Sequence, residues 1–189
     1  MLFKKTKLEG VWIIELEPNA DTRGFFARTY DKKLFEEHGI ARDWVEESES
    51  FSKHKGTVRG LHFQYPPHWE GKLMRISSGE AFLVWVDLRK NSLTFGQWDS
   101  LVLTPEKRSM IYTPRGFANG LCTLSDNCTL LYKIDNQYHP EKQDTVLWND
   151  VDLGIEWPVK EAKELSERDT NAKSFKEFLS ACGGLSGYE

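Results

Sequence analysis

Lys72-Leu73-Met74-Arg75-Ile76-Ser77, then Ser78-Gly79-Glu80, then Ala81-Phe82-Leu83-Val84-Trp85-Val86-Asp87-Leu88 run on without a break, and their reading decides the fold class. Two strand-length runs flank three residues of turn chemistry, so the local pattern predicts a hairpin across Gly79. The second run is apolar on both faces. Alternation puts Phe82, Val84, Val86 and Leu88 on one side and Leu83 and Trp85 on the other. A strand of this kind needs cover on each side. One side is expected to line the interior of a barrel, and the other to meet a second sheet or a partner subunit.

The same pattern recurs on either side of this stretch. Strand-like runs occupy 10–16, 23–30, 57–64, 97–103, 109–113, 120–124 and 129–134, with Glu17-Pro18-Asn19 as a turn after the first. Many short strands separated by turns indicate an all-β sandwich or barrel. Helix is expected in few places. Asp31 stands where it would cap a helix over 32–38 that stops at Gly39. Phe175, Phe178 and Leu179 fall at helical spacing within 174–182. The charged segment from about 160 to 189 is read as a peripheral helical part of one domain spanning 1–189.

The 189 residues suffice to bury a core without disulfide or metal staples. The formal net charge of −4 gives no electrostatic footprint for nucleic acid, and no nucleic-acid partner is expected. Cys122, Cys128 and Cys182 are odd in number and poorly grouped for disulfides or structural zinc. They point to a reducing, cytoplasmic compartment. No apolar run approaches the ~20 residues of a membrane span. The basic start Met1-Leu2-Phe3-Lys4-Lys5-Thr6-Lys7 is not followed by a signal-peptide core. A soluble, unprocessed chain without a membrane partner is expected. Seven tryptophans and 13% aromatic residues suit a β-rich interior and a site that stacks rings.

Among five histidines, His62 stands apart in Arg59-Gly60-Leu61-His62-Phe63-Gln64. A histidine pointing from this strand into a barrel mouth would titrate near neutrality and serve as a base. Arg59 lies three positions away, so alternation puts it on the opposite face unless a bulge intervenes. A metal-binding jelly roll would place histidines two apart on such a strand. Here the second position is Gln64, the next histidine is His68 beyond two prolines, and the later strand offers Asn119. The metal assignment is therefore none. Arg23, Arg59, Lys72 and Arg75 are candidate anion contacts, since arginine matches phosphate geometry and lysine supplies a point charge. No glycine-rich phosphate loop is present. Trp69 in Pro66-Pro67-His68-Trp69-Glu70 reads as a lid aromatic or an exposed loop residue.

The ordered motifs resemble the dTDP-4-dehydrorhamnose 3,5-epimerase family. They are Asp21-Thr22-Arg23-Gly24-Phe25-Phe26, Val58-Arg59-Gly60-Leu61-His62-Phe63-Gln64, Gly71-Lys72-Leu73-Met74-Arg75 and Val86-Asp87-Leu88-Arg89-Lys90-Asn91-Ser92. Further on come Thr94-Phe95-Gly96-Gln97-Trp98, Pro114-Arg115-Gly116-Phe117-Ala118, Leu131-Tyr132-Lys133, Trp148-Asn149-Asp150, Gly154-Ile155-Glu156-Trp157-Pro158 and Leu165-Ser166-Glu167-Arg168-Asp169. The resemblance implies a cupin-type double-stranded β-helix (jelly roll) with short peripheral helices. It implies a homodimer without cofactor that epimerises a nucleotide-linked 4-keto-6-deoxyhexose, supplying deoxysugars for cell-surface polysaccharide. Carried over, His62 is the base, Asp169 orients and charge-stabilises it, Tyr132 is the acid on the other face, and Lys72 stabilises the enolate oxygen. Arg23, Phe26, Arg28, Glu46, Ser48, Arg59 and Asn119 are implied substrate contacts, with Arg23 and Arg59 at the diphosphate.

Three departures from the family pattern bear on specificity. Asn119 stands where the family usually has histidine, and an amide does not shuttle protons near neutrality. This raises the expectation of inversion at a single centre. Arg28 replaces a common glutamate, and Glu46-Glu47-Ser48 replaces Gln-Asp-Asn, which raises the expectation of a cytidine or guanosine nucleotide. Two other functions fit the same residues: a 3,4-ketoisomerase on this substrate class, and a non-catalytic nucleotide-sugar binder.

Overall fold

The computed structural model describes residues 1–186. Along the chain the elements are β1 (Leu2–Lys5), β2 (Trp12–Glu15), β3 (Asn19–Asp21), β4 (Gly24–Phe26), α1 (Lys32–Glu37), β5 (Glu46–Ser52), β6 (Val58–Gln64) and β7 (Lys72–Ser78). They continue as β8 (Ala81–Asp87), β9 (Trp98–Leu103), β10 (Ser109–Thr113), β11 (Phe117–Thr123), β12 (Cys128–Ile134), β13 (Gln143–Thr145), α2 (Glu167–Thr170) and α3 (Phe175–Cys182). Two antiparallel sheets form the body, one ordered β1-β2-β10-β7-β12-β5 and the other β13-β6-β11-β8-β9. A separate two-stranded ribbon pairs β3 with β4. This is the expected all-β jelly roll.

The doubly apolar strand β8 explains how the layers meet. Its Leu83 and Trp85 enter the core between the sheets with Met74, Ile76, Ile111 and Leu121. Its Val84 and Val86 face outward and are covered by Phe175 and Phe178 of α3. The outer cover is thus the chain's own C-terminal helix rather than a partner subunit. Each such buried side chain contributes about 1.5–3 kcal/mol. Helix α3 is set at its start by a reciprocal capping box between Ser174 and Glu177, and ends at Gly183 in the left-handed conformation. Helix α1 has the expected Asp31 cap, which accepts from the Leu34 N–H.

Several expectations are corrected. Ser78-Gly79-Glu80 does not make a hairpin. Both edges of β7 are occupied, by β10 and β12, so β8 departs to the other sheet. The Glu80 N–H is instead satisfied by Ser125 Oγ at 2.9 Å. The strand expected over 23–30 shrinks to β4, paired only with β3 out of the turn Glu17-Pro18-Asn19. The strand expected from 120 begins at Phe117, directly after Gly116. From residue 160 to 186, helix is confined to α2 and α3, and Glu164 bridges to Thr57. The expected helical segment's last residues, 187–189, lie outside the described residues.

Candidate active site

A cavity of about 340 Å³ opens between the two sheets. Its walls differ in origin. The five-stranded sheet contributes Arg59, His62 and Asn119, and the six-stranded sheet contributes Glu46, Ser48, Lys72 and Tyr132. Its inner end is apolar, closed by Leu83, Leu121 and Leu130.

Arg59 and His62 share this cavity because β6 is bulged. Across from it on β11, Asn119 faces His62 while Leu121 faces Arg59, so two residues of one strand span three of the other. Gly60 makes the bulge possible. Its φ is +108°, and a Cβ there would stand 2.6 Å from the Asn119 carbonyl oxygen. The sequence admitted this outcome only as an exception to alternation.

His62 Nε2 lies 2.6 Å from Asp169 Oδ1. The imidazole is 24% exposed and the carboxylate 2%. Asp169 reaches it from α2, where its own N–H is held by the Ser166 cap at 3.1 Å. Burial pushes the Asp169 carboxyl up. Hydrogen bonds from His62, Ser166 and the Gly60 N–H, with the His62 charge, outweigh this and hold it below the usual 3.8. The ionised carboxylate therefore accepts from Nε2, and in the neutral imidazole Nδ1 is then the acceptor left on the ring.

On the opposite wall, Lys72 Nζ lies 5.8 Å from the Tyr132 ring centroid and 2.9 Å from Glu70 Oε1. Among the described residues the Tyr132 hydroxyl has no hydrogen-bond partner. Asn119 is buried, and its Oδ1 accepts from the Thr113 hydroxyl at 3.1 Å. Arg59 is anchored by Nε to Ser52 Oγ and by Nη2 to the Phe51 carbonyl, each at 2.9 Å. Glu46 Oε1 accepts from the Tyr138 N–H at 2.9 Å. An imidazole with its carboxylate thus faces a phenol and an ammonium across a polar space, an arrangement able to move protons on two sides of a bound molecule. Among the described residues no group of three or more His, Cys, Asp or Glu is disposed to hold a metal.

Four expected contacts, Arg23, Phe26, Arg28 and Arg75, are not brought to this cavity. Arg23 is exposed and paired with Asp21 at 2.6 Å, and Arg28 is paired with Asp31 at 2.9 Å. Phe26 is 65% exposed on the ribbon. The reason is topological: β3 and β4 pair with each other and join neither sheet. Arg75 faces the other side of β7, in a shallow recess with Lys133. Trp69 is buried, not a lid or an exposed loop residue. Conversely, Glu70, Tyr138, Gln143 and Arg168 line the cavity without having been singled out. Only Arg168 carried a signal, as the neighbour of Asp169.

Fold and cavity together define a cupin-like jelly roll with an acid–base site. The model of the dTDP-4-dehydrorhamnose 3,5-epimerase family matches residues 5–177. The dTDP-4-dehydrorhamnose 3,5-epimerase of Methanothermobacter thermautotrophicus is 44% identical over 177 residues, covering 93% of this chain and 95% of the relative. The structure of a Mycobacterium tuberculosis epimerase superposes with a TM-score of 0.93 at 34% identity, covering 100% of this chain and 94% of that one. A Legionella pneumophila dTDP-6-deoxy-D-glucose-3,5-epimerase, in complex with dTDP-4-keto-L-rhamnose, gives 0.91 at 35% identity over 98% of both chains. The chain belongs to the dTDP-4-dehydrorhamnose 3,5-epimerase family.

Proposed function

We propose that this chain is an isomerase that inverts the carbons flanking the ketone of a dTDP-linked 4-keto-6-deoxyhexose, with His62 as the base. The observation that carries this reading is the His62–Asp169 pair on one sheet facing Tyr132 and Lys72 on the other. A hydrogen on carbon 3 or 5 is acidic because its loss gives an enolate at the carbon 4 oxygen. His62 Nδ1 takes that proton, and Asp169 stabilises the imidazolium. Lys72 meets the enolate oxygen with a fixed positive charge. Tyr132 returns a proton from the opposite wall, so the centre inverts. Asn119 binds and does not titrate, which leaves proton traffic to His62 and Tyr132 at each centre.

Arg59, with Glu46 and Ser48, borders the nucleotide end. Family membership and a relative holding a dTDP sugar support thymidine as the nucleoside. A homodimer is part of this reading. The exposed ribbon with Arg23 and Phe26 would then reach a partner's cavity, which reconciles their expected role with their distance from their own. The three free cysteines support a cytoplasmic setting.

The test is incubation with dTDP-4-keto-6-deoxyglucose in deuterated water, followed by NMR. Deuterium at carbons 3 and 5 with the ketone retained at carbon 4 is expected. A ketone moved to carbon 3, or no exchange, refutes the reading. A preference for cytidine or guanosine diphosphate sugars over the thymidine one refutes the nucleotide assignment.

A further inference from the structure

Glu70 is a carboxylate only 6% exposed, at the wall of the cavity. Its two oxygens serve two different sheets. Oε1 lies 2.9 Å from Lys72 Nζ, at the start of β7. Oε2 accepts from Gln64 Nε2 on β6. Gln64 follows His62 by two residues, so it shares the face that carries the imidazole. The Gln64 amide is itself fixed: Nε2 donates to the His68 carbonyl at 2.8 Å, and Oε1 accepts from the His139 N–H at 2.6 Å. Between the two charged residues, the Gly71 N–H is held by Asp135 Oδ1 at 2.6 Å, and Arg115 clamps the same carboxylate at 3.1 Å. The segment from Glu70 to Lys72 is thus pinned on both sides.

A lysine ammonium sits on a flexible four-carbon stem and has no built-in direction. A buried ion pair is a poor source of net stability, because desolvation offsets most of the attraction. Its use here is geometric. We infer that Glu70 is a positioning residue that aims the Lys72 ammonium at the developing enolate oxygen and keeps it in register with His62 through Gln64. This rests on the reading of Lys72 as the enolate-stabilising group.

The test is a double-mutant cycle with E70Q, K72M and E70Q/K72M, read by deuterium exchange at carbons 3 and 5 of dTDP-4-keto-6-deoxyglucose. E70Q should lower kcat about 100-fold, the scale of a small misplacement of a catalytic group, with KM and thymidine diphosphate affinity unchanged. On the K72M background it should cause no further loss. Wild-type kcat in E70Q overturns the inference, as does a loss that multiplies that of K72M. If E70Q does not fold, E70D keeps the charge on a shorter stem, and its kcat should fall at unchanged KM. Wild-type kcat in E70D then overturns the inference. Absent exchange in the wild type, or full activity in K72M, would instead refute the underlying function, and the positioning role with it.

Discussion

Substituting Gly60 by alanine should damage fold and chemistry together. The added Cβ would stand 2.6 Å from the Asn119 oxygen and 2.8 Å from the Gly120 Cα, both backbone atoms of the paired strand. At φ +108° the residue also occupies a region that side chains disfavour. Backbone strain of ~1–3 kcal/mol and overpacking of ~1–3 kcal/mol together suggest a loss of about 4 kcal/mol. For a chain of this size, this lowers Tm by roughly 8–16 °C. The bulge must relax to relieve the contact, which turns Arg59 or His62 from the cavity and disturbs the Gly60 N–H that supports Asp169. The folded fraction of G60A should therefore exchange substrate protons about 100-fold more slowly. Thermal melts and deuterium exchange measured on the same sample read both effects. A G60A protein that melts with the wild type and keeps its exchange rate would refute the role assigned to the bulge.

Two further outcomes follow from the packing and the ion pair. Asp169→Asn should slow exchange by about 10⁴-fold, the scale seen when a buried carboxylate that orients a catalytic imidazole becomes an amide. The Asp169 carboxyl lies below 3.8 in the folded chain, so its contribution to stability is whole above that pH and drains as pH falls through the folded value. Urea midpoints of D169N should lack that part of the acid-side decline, and an unchanged pH profile would count against the pairing. Phe178→Ala should cost about 3–5 kcal/mol, because Phe178 is fully buried against the outer face of β8. Equilibrium unfolding checks it, and a loss under 1 kcal/mol would mean that α3 is not the cover of that sheet.

The fold was most legible where side chains report burial. The doubly apolar β8 and the amphipathic α3 stand out because their apolar patterns match their geometry, and α1 stands out by its Asp31 cap and the glycine after it. Strand β5 carries no such signal, for the opposite reason. Its inner residues Glu46 and Ser48 line the cavity and its outer residues Glu47 and Glu49 meet solvent, so neither face is apolar. The three-residue strands β3 and β13 are too short to show a period. The residues at Gly79 mark where the strand ends but not what it pairs with, since pairing depends on which strands already occupy the edges of β7. At the site, His62 and Lys72 stand out from their own strands as a candidate base and a candidate anion contact, whereas Tyr132, Asp169 and the specific roles rest on motif resemblance; the structure brings all four to one cavity or its border. Glu70 left no local trace, because its partners Gln64 and Lys72 sit on different sheets.

In the proposed reaction His62 removes the proton beside the ketone. The most direct measurement is deuterium exchange into dTDP-4-keto-6-deoxyglucose by His62→Ala, with thymidine diphosphate binding followed in parallel. Binding should persist while exchange is lost at carbon 3 and at carbon 5 alike. Wild-type exchange at either carbon in H62A would rule out His62 as the base.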